Sequence, residues 1–219
     1  MSTPTKPLLL YTGATPNGHK VTILLEELKA VYGSVVDYDF ENIVISTMRQ
    51  KEPWFIKLNP NGRIPVIIDR SRNDFVVFET AAILLYLTLH YDKERKFSFG
   101  PDKDPDDWSE MTQWIFFAHG GVAHHFQRVA PDNTYGKKRY FDETKRLYGV
   151  LEIRLSDRDY LAGSGRGIYT IADLNVFPWI RRHPVAGIET LDEWPNLKAW
   201  FARILERPAV QAGLAVPGP

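Results

Sequence analysis

The chain has no cysteine in its 219 residues. Disulfides, thiolate-bound zinc and a protein thiol nucleophile are thereby excluded. It also lacks an excess of either charge: lysine plus arginine and aspartate plus glutamate number 27 each, with no basic run. Neither a nucleic-acid footprint nor attraction to an anionic membrane is visible. There is no long hydrophobic run either, the stretch around Ala81 to Leu89 being far too short to cross a bilayer. Met1 to Lys6 is short, polar and proline-containing, without the apolar core of a secretory signal. What is present is ordinary for a folded chain: 44% hydrophobic and 25% charged residues, which exclude general disorder. The expectation is a soluble, cytoplasmic protein with neither nucleic-acid nor membrane partners.

Local patterns predict a mixed first half. Leu8, Leu9, Leu10 and Tyr11 read as a buried strand, ended by Gly13 and the Pro16-Asn17-Gly18 turn cluster. Val21, Leu24, Leu25 and Leu28 follow at helical spacing, with Glu26, Glu27 and Lys29 on the other side. Val35 to Phe40 is β-branched and aromatic, a second strand. Glu41 to Asn61 is irregular, with a short helix near Trp54 to Lys57. Pro65 opens a β-branched run, Arg70 to Asp74 reads as a turn, and Phe75 to Phe78 as another strand. Glu79 to about Tyr91 is helical. The order is β-α-β-(short α)-β-β-α, with the first two strands parallel and the last two antiparallel.

The second half carries no strand signal. Asp92 to Pro105 is charged and holds two prolines, as a linker would. Helical faces then appear at Trp108 to Ala118, at Lys137 to Leu155 and at Leu197, Trp200, Phe201 and Ile204. Thr170-Ile171-Ala172-Asp173 has the shape of a capping box and should start another helix, with a structural role only. After Arg207-Pro208 the Gly/Pro-rich tail reads as loose. His119, His124 and His125 lack the spacing and acidic partner of a standard zinc site, so no metal is expected.

Three motifs agree in order and spacing: Asn59-Pro60-Asn61-Gly62-Arg63-Ile64-Pro65, Phe78-Glu79-Thr80-Ala81-Ala82-Ile83-Leu84, and Thr170-Ile171-Ala172-Asp173. Together they resemble the glutathione S-transferase superfamily along nearly the whole chain. Thr15-Pro16-Asn17-Gly18-His19-Lys20 followed by Leu24-Leu25-Glu26-Glu27 is similar to its nu-class and yeast-nitrogen-regulator-like branch. The resemblance implies an α/β plus all-α fold: a thioredoxin-like glutathione-binding domain at 1–92, a linker at 93–105 and an all-helical domain at 106–219.

It also implies site roles. A free thiol has a pKa of about 8.5, so only ~3% is ionised at pH 7; a lowering of roughly two units gives ~75%, for about 2.7 kcal/mol of differential stabilisation. Thr15 and Asn17, beside a helix start, are the positions assigned to the sulfur, although asparagine there is also a common N-cap and both roles can coexist. Tyr11 is the competing candidate, placed like the catalytic tyrosine of other classes; its alternative is an aromatic closing the strand. Ala14 falls where other classes use serine and has no donor.

Ile64 and a cis Pro65 are implied to hold the cysteinyl part of glutathione, Glu79 and Thr80 the γ-glutamyl end, and Gln50 the glycine carboxylate, with Lys51, Arg49 and Arg63 adding charge. Trp114 and Phe117 either line a second-substrate pocket or pack in the helical core. The segment Gly120 to His125 is shorter than in the nu-like relatives, which bears on acceptor and second-glutathione contacts. The expected activity is glutathione-dependent disulfide reduction, with peroxide reduction or deglutathionylation of small molecules, by a homodimer. Conjugation of electrophiles and a weakly active glutathione-binding regulator are the alternatives.

Overall fold

The protein is described by a computed structural model covering residues 6–122 and 132–218. Two compact units divide the chain: Met1–Glu94 with Arg207–Pro219, and Arg95–Glu206.

In the first unit a four-stranded sheet has the order β2-β1-β3-β4. Strand β1 (Leu8–Thr12) pairs in parallel with β2 (Tyr38–Asn42) and antiparallel with β3 (Val66–Asp69), which pairs antiparallel with β4 (Phe75–Phe78). The expected second strand begins later than its composition indicates, because Val35 and Val36 lie in a 3-10 turn, Gly33–Val36. Helix α1 (Pro16–Tyr32) also begins earlier than expected. Pro16, read as part of a turn, is its first residue, where a missing N–H costs nothing. Helix α2 (Pro53–Leu58) follows two 3-10 turns, and α3 (Thr80–Tyr91) packs against α1. The buried Asp69 side chain ties α3 to the sheet by accepting from Tyr86 Oη at 2.8 Å and Tyr91 Oη at 2.6 Å.

The tail is not loose. Residues Pro208–Leu214 form helix α8, which packs on α1. Arg207 grips the buried Glu27 carboxylate bidentately at 2.6 and 2.9 Å, and Thr22 Oγ1 donates to Gly213 O at 2.6 Å. A Cβ on Gly213 would stand 2.5 Å from Ile23 Cα, so only glycine permits this contact. Proline at the start of α8 was read from sequence as a helix stop; it is the first residue of a new helix.

The second unit holds α4 (Pro105–Phe117), continued by a π turn (Ala118–Val122), then α5 (Thr134–Arg154), α6 (Ile171–Ile180) and α7 (Pro195–Leu205). The segment read as a linker is partly built in: Phe97, Ser98 and Phe99 are buried, and Phe97 O accepts the Ile171 N–H at 2.9 Å. Every residue of α6 is buried, as expected for a helix apolar on all sides. Its capping box forms as the sequence predicts. The Asp173 carboxylate accepts from Thr170 N at 3.0 Å, Leu161 N at 2.9 Å and Trp200 Nε1 at 2.8 Å. Burial pushes its pKa up to about 6 even so, against the opposing effect of those donors. Glu152 on α5 likewise caps α7, accepting from Asn196 N at 3.1 Å and Leu197 N at 2.9 Å.

Asp173→Ala strands three buried donors and is expected to cost at least about 3 kcal/mol in denaturant unfolding, since each orphaned group costs about 1–3 kcal/mol. Gly213→Val forces α8 away from Ile23 and is expected to cost about 1–3 kcal/mol, the range for overpacking, with protease sensitivity appearing first at the C-terminus.

Candidate functional site

The sheet itself gathers the residues that the sequence singles out. Tyr11 of β1 is opposite Val66 of β3, and Val66 is opposite Phe78 of β4, so these three form one row across the sheet. The chain leaves or enters the sheet next to that row in three places: Thr12 to Thr15, Arg63 to Pro65, and Glu79 to Thr80. Two glycines allow these segments to close on one another. A Cβ on Gly13 would meet Ile64 Cδ1 at 2.9 Å and Ile43 O at 3.0 Å, and one on Gly18 would meet Gly13 O at 2.2 Å and Thr12 Oγ1 at 2.6 Å. The first turn of α1 is therefore seated on the end of β1.

Thr15 is the N-cap of α1, in extended conformation, and its hydroxyl oxygen accepts from Gly18 N at 3.0 Å. Asn17 is the second helical residue and half-buried. The capping alternative raised for Asn17 is thus taken by Thr15. No acidic side chain occupies the first turn of this 17-residue helix, so its own residues leave the positive end of the dipole unneutralised. Tyr11 lies in an aromatic group with Trp54 and Phe55, ring centroids 5.5 and 6.0 Å away. Burial, then Glu41, raises its pKa, which keeps the hydroxyl protonated.

The loop before β3 is held by the buried Asn59. Its Nδ2 donates to Arg63 O at 2.8 Å and its Oδ1 accepts from Asn61 N at 3.0 Å. Gly62 has φ +61°, with Gln50 O 2.9 Å from where its Cβ would stand, so the motif requires glycine there. The Ile64–Pro65 bond is cis, as the resemblance implies. Gln50 is buried; its Nε2 donates to Ile45 O at 3.2 Å and its Oε1 has no partner among the described residues. Lys51 Nζ donates to Asn61 O at 3.0 Å. Gln50, expected to meet the glycine carboxylate, and Lys51, expected to add charge, thus each donate to a loop carbonyl. Arg49 pairs with Glu41 at 2.6 Å and covers the Trp54 ring, and the Arg63 side chain is exposed.

Glu79 has φ +70° and ψ +123°, a conformation costly for any residue with a side chain and one that concentrates at functional positions. Thr80, the first residue of α3, is buried and its Oγ1 lacks a partner among the described residues. Lys20, to which the motif assigns no role, is fully buried on α1 with Nζ without a partner among the described residues. Burial lowers its pKa to about 7, opposed by the carboxylate of Glu79. The signal was available: Lys20 lies four residues before Leu24 and so shares the buried face of the helix.

In the second unit, Trp114 and Phe117 pack edge to face at 5.2 Å, and Arg154 lies over Trp114 at 5.5 Å. His119 is half-buried, while His124 and His125 lie outside the described residues. No group of three or more metal-binding side chains occurs among the described residues. No described helix is long and apolar enough to cross a membrane.

Residues 6–88 match the glutathione S-transferase N-terminal domain and residues 120–208 the glutathione S-transferase C-terminal domain. The chain is 35% identical to the disulfide-bond oxidoreductase YfcG of Escherichia coli (strain K12), over 94% of this chain and 93% of that protein. It superposes on a glutathione transferase homolog from Lodderomyces elongisporus, solved with two glutathione molecules per subunit, with TM-score 0.85, 38% identity and 97% and 99% of the two chains covered. The glutathione transferase URE2P6 from Phanerochaete chrysosporium, solved with oxidized glutathione, gives TM-score 0.84, 34% identity and coverage of 95% and 94%. The chain belongs to the glutathione S-transferase family, as an enzyme of the glutathione-transferase type with Ure2-like fungal relatives.

Proposed function

We propose that the chain binds glutathione at one end of the strands of its first unit and works as a glutathione-dependent disulfide reductase. The observation that carries this reading is the row Tyr11–Val66–Phe78, which brings the α1 start, the Ile64-Pro65 segment and the α3 start to the same end of the strands. The relative named a disulfide-bond oxidoreductase supports it. So does the absence of cysteine, since the thiol must then come from a bound molecule.

Bound glutathione supplies the nucleophile: its thiolate attacks one sulfur of a disulfide, expelling the other as thiolate, and a second glutathione resolves the mixed disulfide to glutathione disulfide and free thiol. The chain's own part is to favour the ionised sulfur. The Asn17 amide and the Thr15 hydroxyl donate to it at the positive end of α1, where the Thr15 oxygen already serves Gly18 and its hydrogen remains available. The Ile64 backbone, next to the cis peptide, pairs with the cysteinyl part. Glu79 takes the ligand's ammonium, and Thr80 with the α3 N-terminus takes its α-carboxylate. Tyr11 fills the aromatic group beside α2. Peroxide reduction and removal of glutathione from small adducts use the same thiolate. The active species is taken to be a homodimer, which light scattering of the purified protein checks.

The purified protein is expected to turn over 2-hydroxyethyl disulfide with glutathione and to be slow with a chlorodinitrobenzene-type electrophile. The opposite ranking would make it a conjugating enzyme, and tight glutathione binding without turnover would make it a regulator. Asn17→Ala is expected to cut the disulfide rate tenfold or more, matching the roughly 1.5–3 kcal/mol of a hydrogen bond to a charged group. Tyr11→Phe should leave most of the rate; a dead Tyr11→Phe beside a fully active Asn17→Ala would reassign the catalytic residue.

A further inference from the structure

Lys20 is not used by the mechanism above, and its position is costly. Its side chain is fully buried, its Nζ has no hydrogen-bond partner among the described residues, and burial alone drives its charge down. The charged side chains farther along α1 are engaged elsewhere: Glu26 accepts from Tyr38 Oη, Glu27 pairs with Arg207 and Lys29 with Asp37. Of the elements packed on α1, the turn Gly33–Val36 and α8 have no titratable side chain. Helix α3 brings Tyr86, His90 and Tyr91 in its later turns, with Glu79 at its cap. Glu79 is the charge that acts on Lys20. Beside it Thr80 Oγ1 is a second buried donor without an acceptor among the described residues. Helix α1, which buries the Lys20 cation, thus packs on α3, whose start combines a hydroxyl donor and a helix N-terminus with Glu79 as the anion.

We propose that Lys20 is a positioning residue for the amino-acid end of bound glutathione: its sealed ammonium balances the incoming α-carboxylate while Glu79 receives the neighbouring ammonium. The proposal rests on the glutathione reading above. Because Nζ is closed off from the surface, Lys20 acts through charge across the helix start and not by touching the ligand. An α-amino-acid group carries both signs of charge, and Glu79 with Lys20 presents the complementary pair. Without the carboxylate, the lysine is a buried charge with one partial partner. With it, the charged form is favoured.

Calorimetry on the unsubstituted protein, Lys20→Met and Lys20→Arg tests this with two ligands. One is S-methylglutathione, whose blocked sulfur removes thiol ionisation; the other is the same compound lacking the γ-glutamyl α-carboxylate. Lys20→Met is expected to weaken S-methylglutathione about tenfold or more and the decarboxylated compound less than about threefold. Its unliganded melting temperature should be unchanged or higher, since a buried ammonium has been removed, and Lys20→Arg should keep most of the affinity. A purely structural lysine would lower the melting temperature and weaken both ligands alike, and that result overturns the proposal. So does Lys20→Met binding S-methylglutathione as well as the unsubstituted protein.

If the unsubstituted protein binds neither compound, the glutathione reading falls too. Should Lys20→Met fail to fold, proton uptake by the unsubstituted protein decides. Binding of S-methylglutathione near pH 7, in two buffers of different ionisation heat, is expected to take up a fraction of a proton. The decarboxylated compound should take up none. Absence of uptake with the first ligand overturns the proposal.

Discussion

The candidate site depends on how closely the first turn of α1 seats on the end of β1. A methyl group on Gly18 would stand 2.2 Å from the Gly13 carbonyl, and one on Gly13 would strike both Ile43 O and Ile64. With any side chain at these two positions the helix start would back away from the strand, and the segment before Pro65 would back away with it. The dipole of α1 would then point at solvent. Its effect falls off within the first turn, so a displacement of a few ångströms would forfeit most of it. Packing without side chains is thus what places a positive helix end next to the Ile64-Pro65 segment.

The same economy is seen at α3. Neither α1 nor α3 carries an acidic side chain in its first turn, although acids there usually stabilise a helix. At α3 the only acidic side chain at the start is the N-cap Glu79, and at α1 the cap is the neutral Thr15. The unliganded protein carries further strain nearby: Glu79 is in an unfavourable backbone conformation, and Lys20 and Thr80 hold buried donors without acceptors among the described residues. These costs lie on a rigid base. Asp69 fastens α3 to β3, and Arg207 with α8 fastens the far side of α1. Stability gathered in the sheet and the tail offsets the strain at the start of α3.

The sequence made the elements and the row of motifs legible because each has a local cause. Alternation and periodicity mark β1, α1 and α3, and the capping box marks the start of α6. It misled where a residue has two local meanings. Pro16 and Pro208 were read as breakers and are first helical residues, a difference decided by Thr15 capping in one case and by docking on α1 in the other. Asp92 to Pro105 looked like a solvated linker because its charges dominate the count, while Phe97 and Phe99 are what become buried. The resemblance assigns Gln50 to a carboxylate, with Lys51 adding charge nearby. Their use by Ile45 O and Asn61 O depends on a loop fold that no periodicity reveals. Sequence gives Lys20 no special standing because a long side chain in a helix is ordinarily a solvated one.

Two buried charges on one helix show how a structural ion differs from a ligand-directed one. Lys20 and Glu27 are seven residues apart, hence on the same face of α1, and both are almost wholly withdrawn from water. Glu27 is matched by a bidentate guanidinium with both oxygens engaged, the arrangement that makes burial of a carboxylate tolerable. Lys20 has no such match among the described residues: it feels Glu79 without a hydrogen bond, and burial outweighs that attraction. Were Lys20 present for stability, a partner as complete as Arg207 would be the economical solution on this same helix. An ion buried at a loss on a helix packed against the one that a strained glutamate begins is instead what a site looks like before the remaining charge arrives.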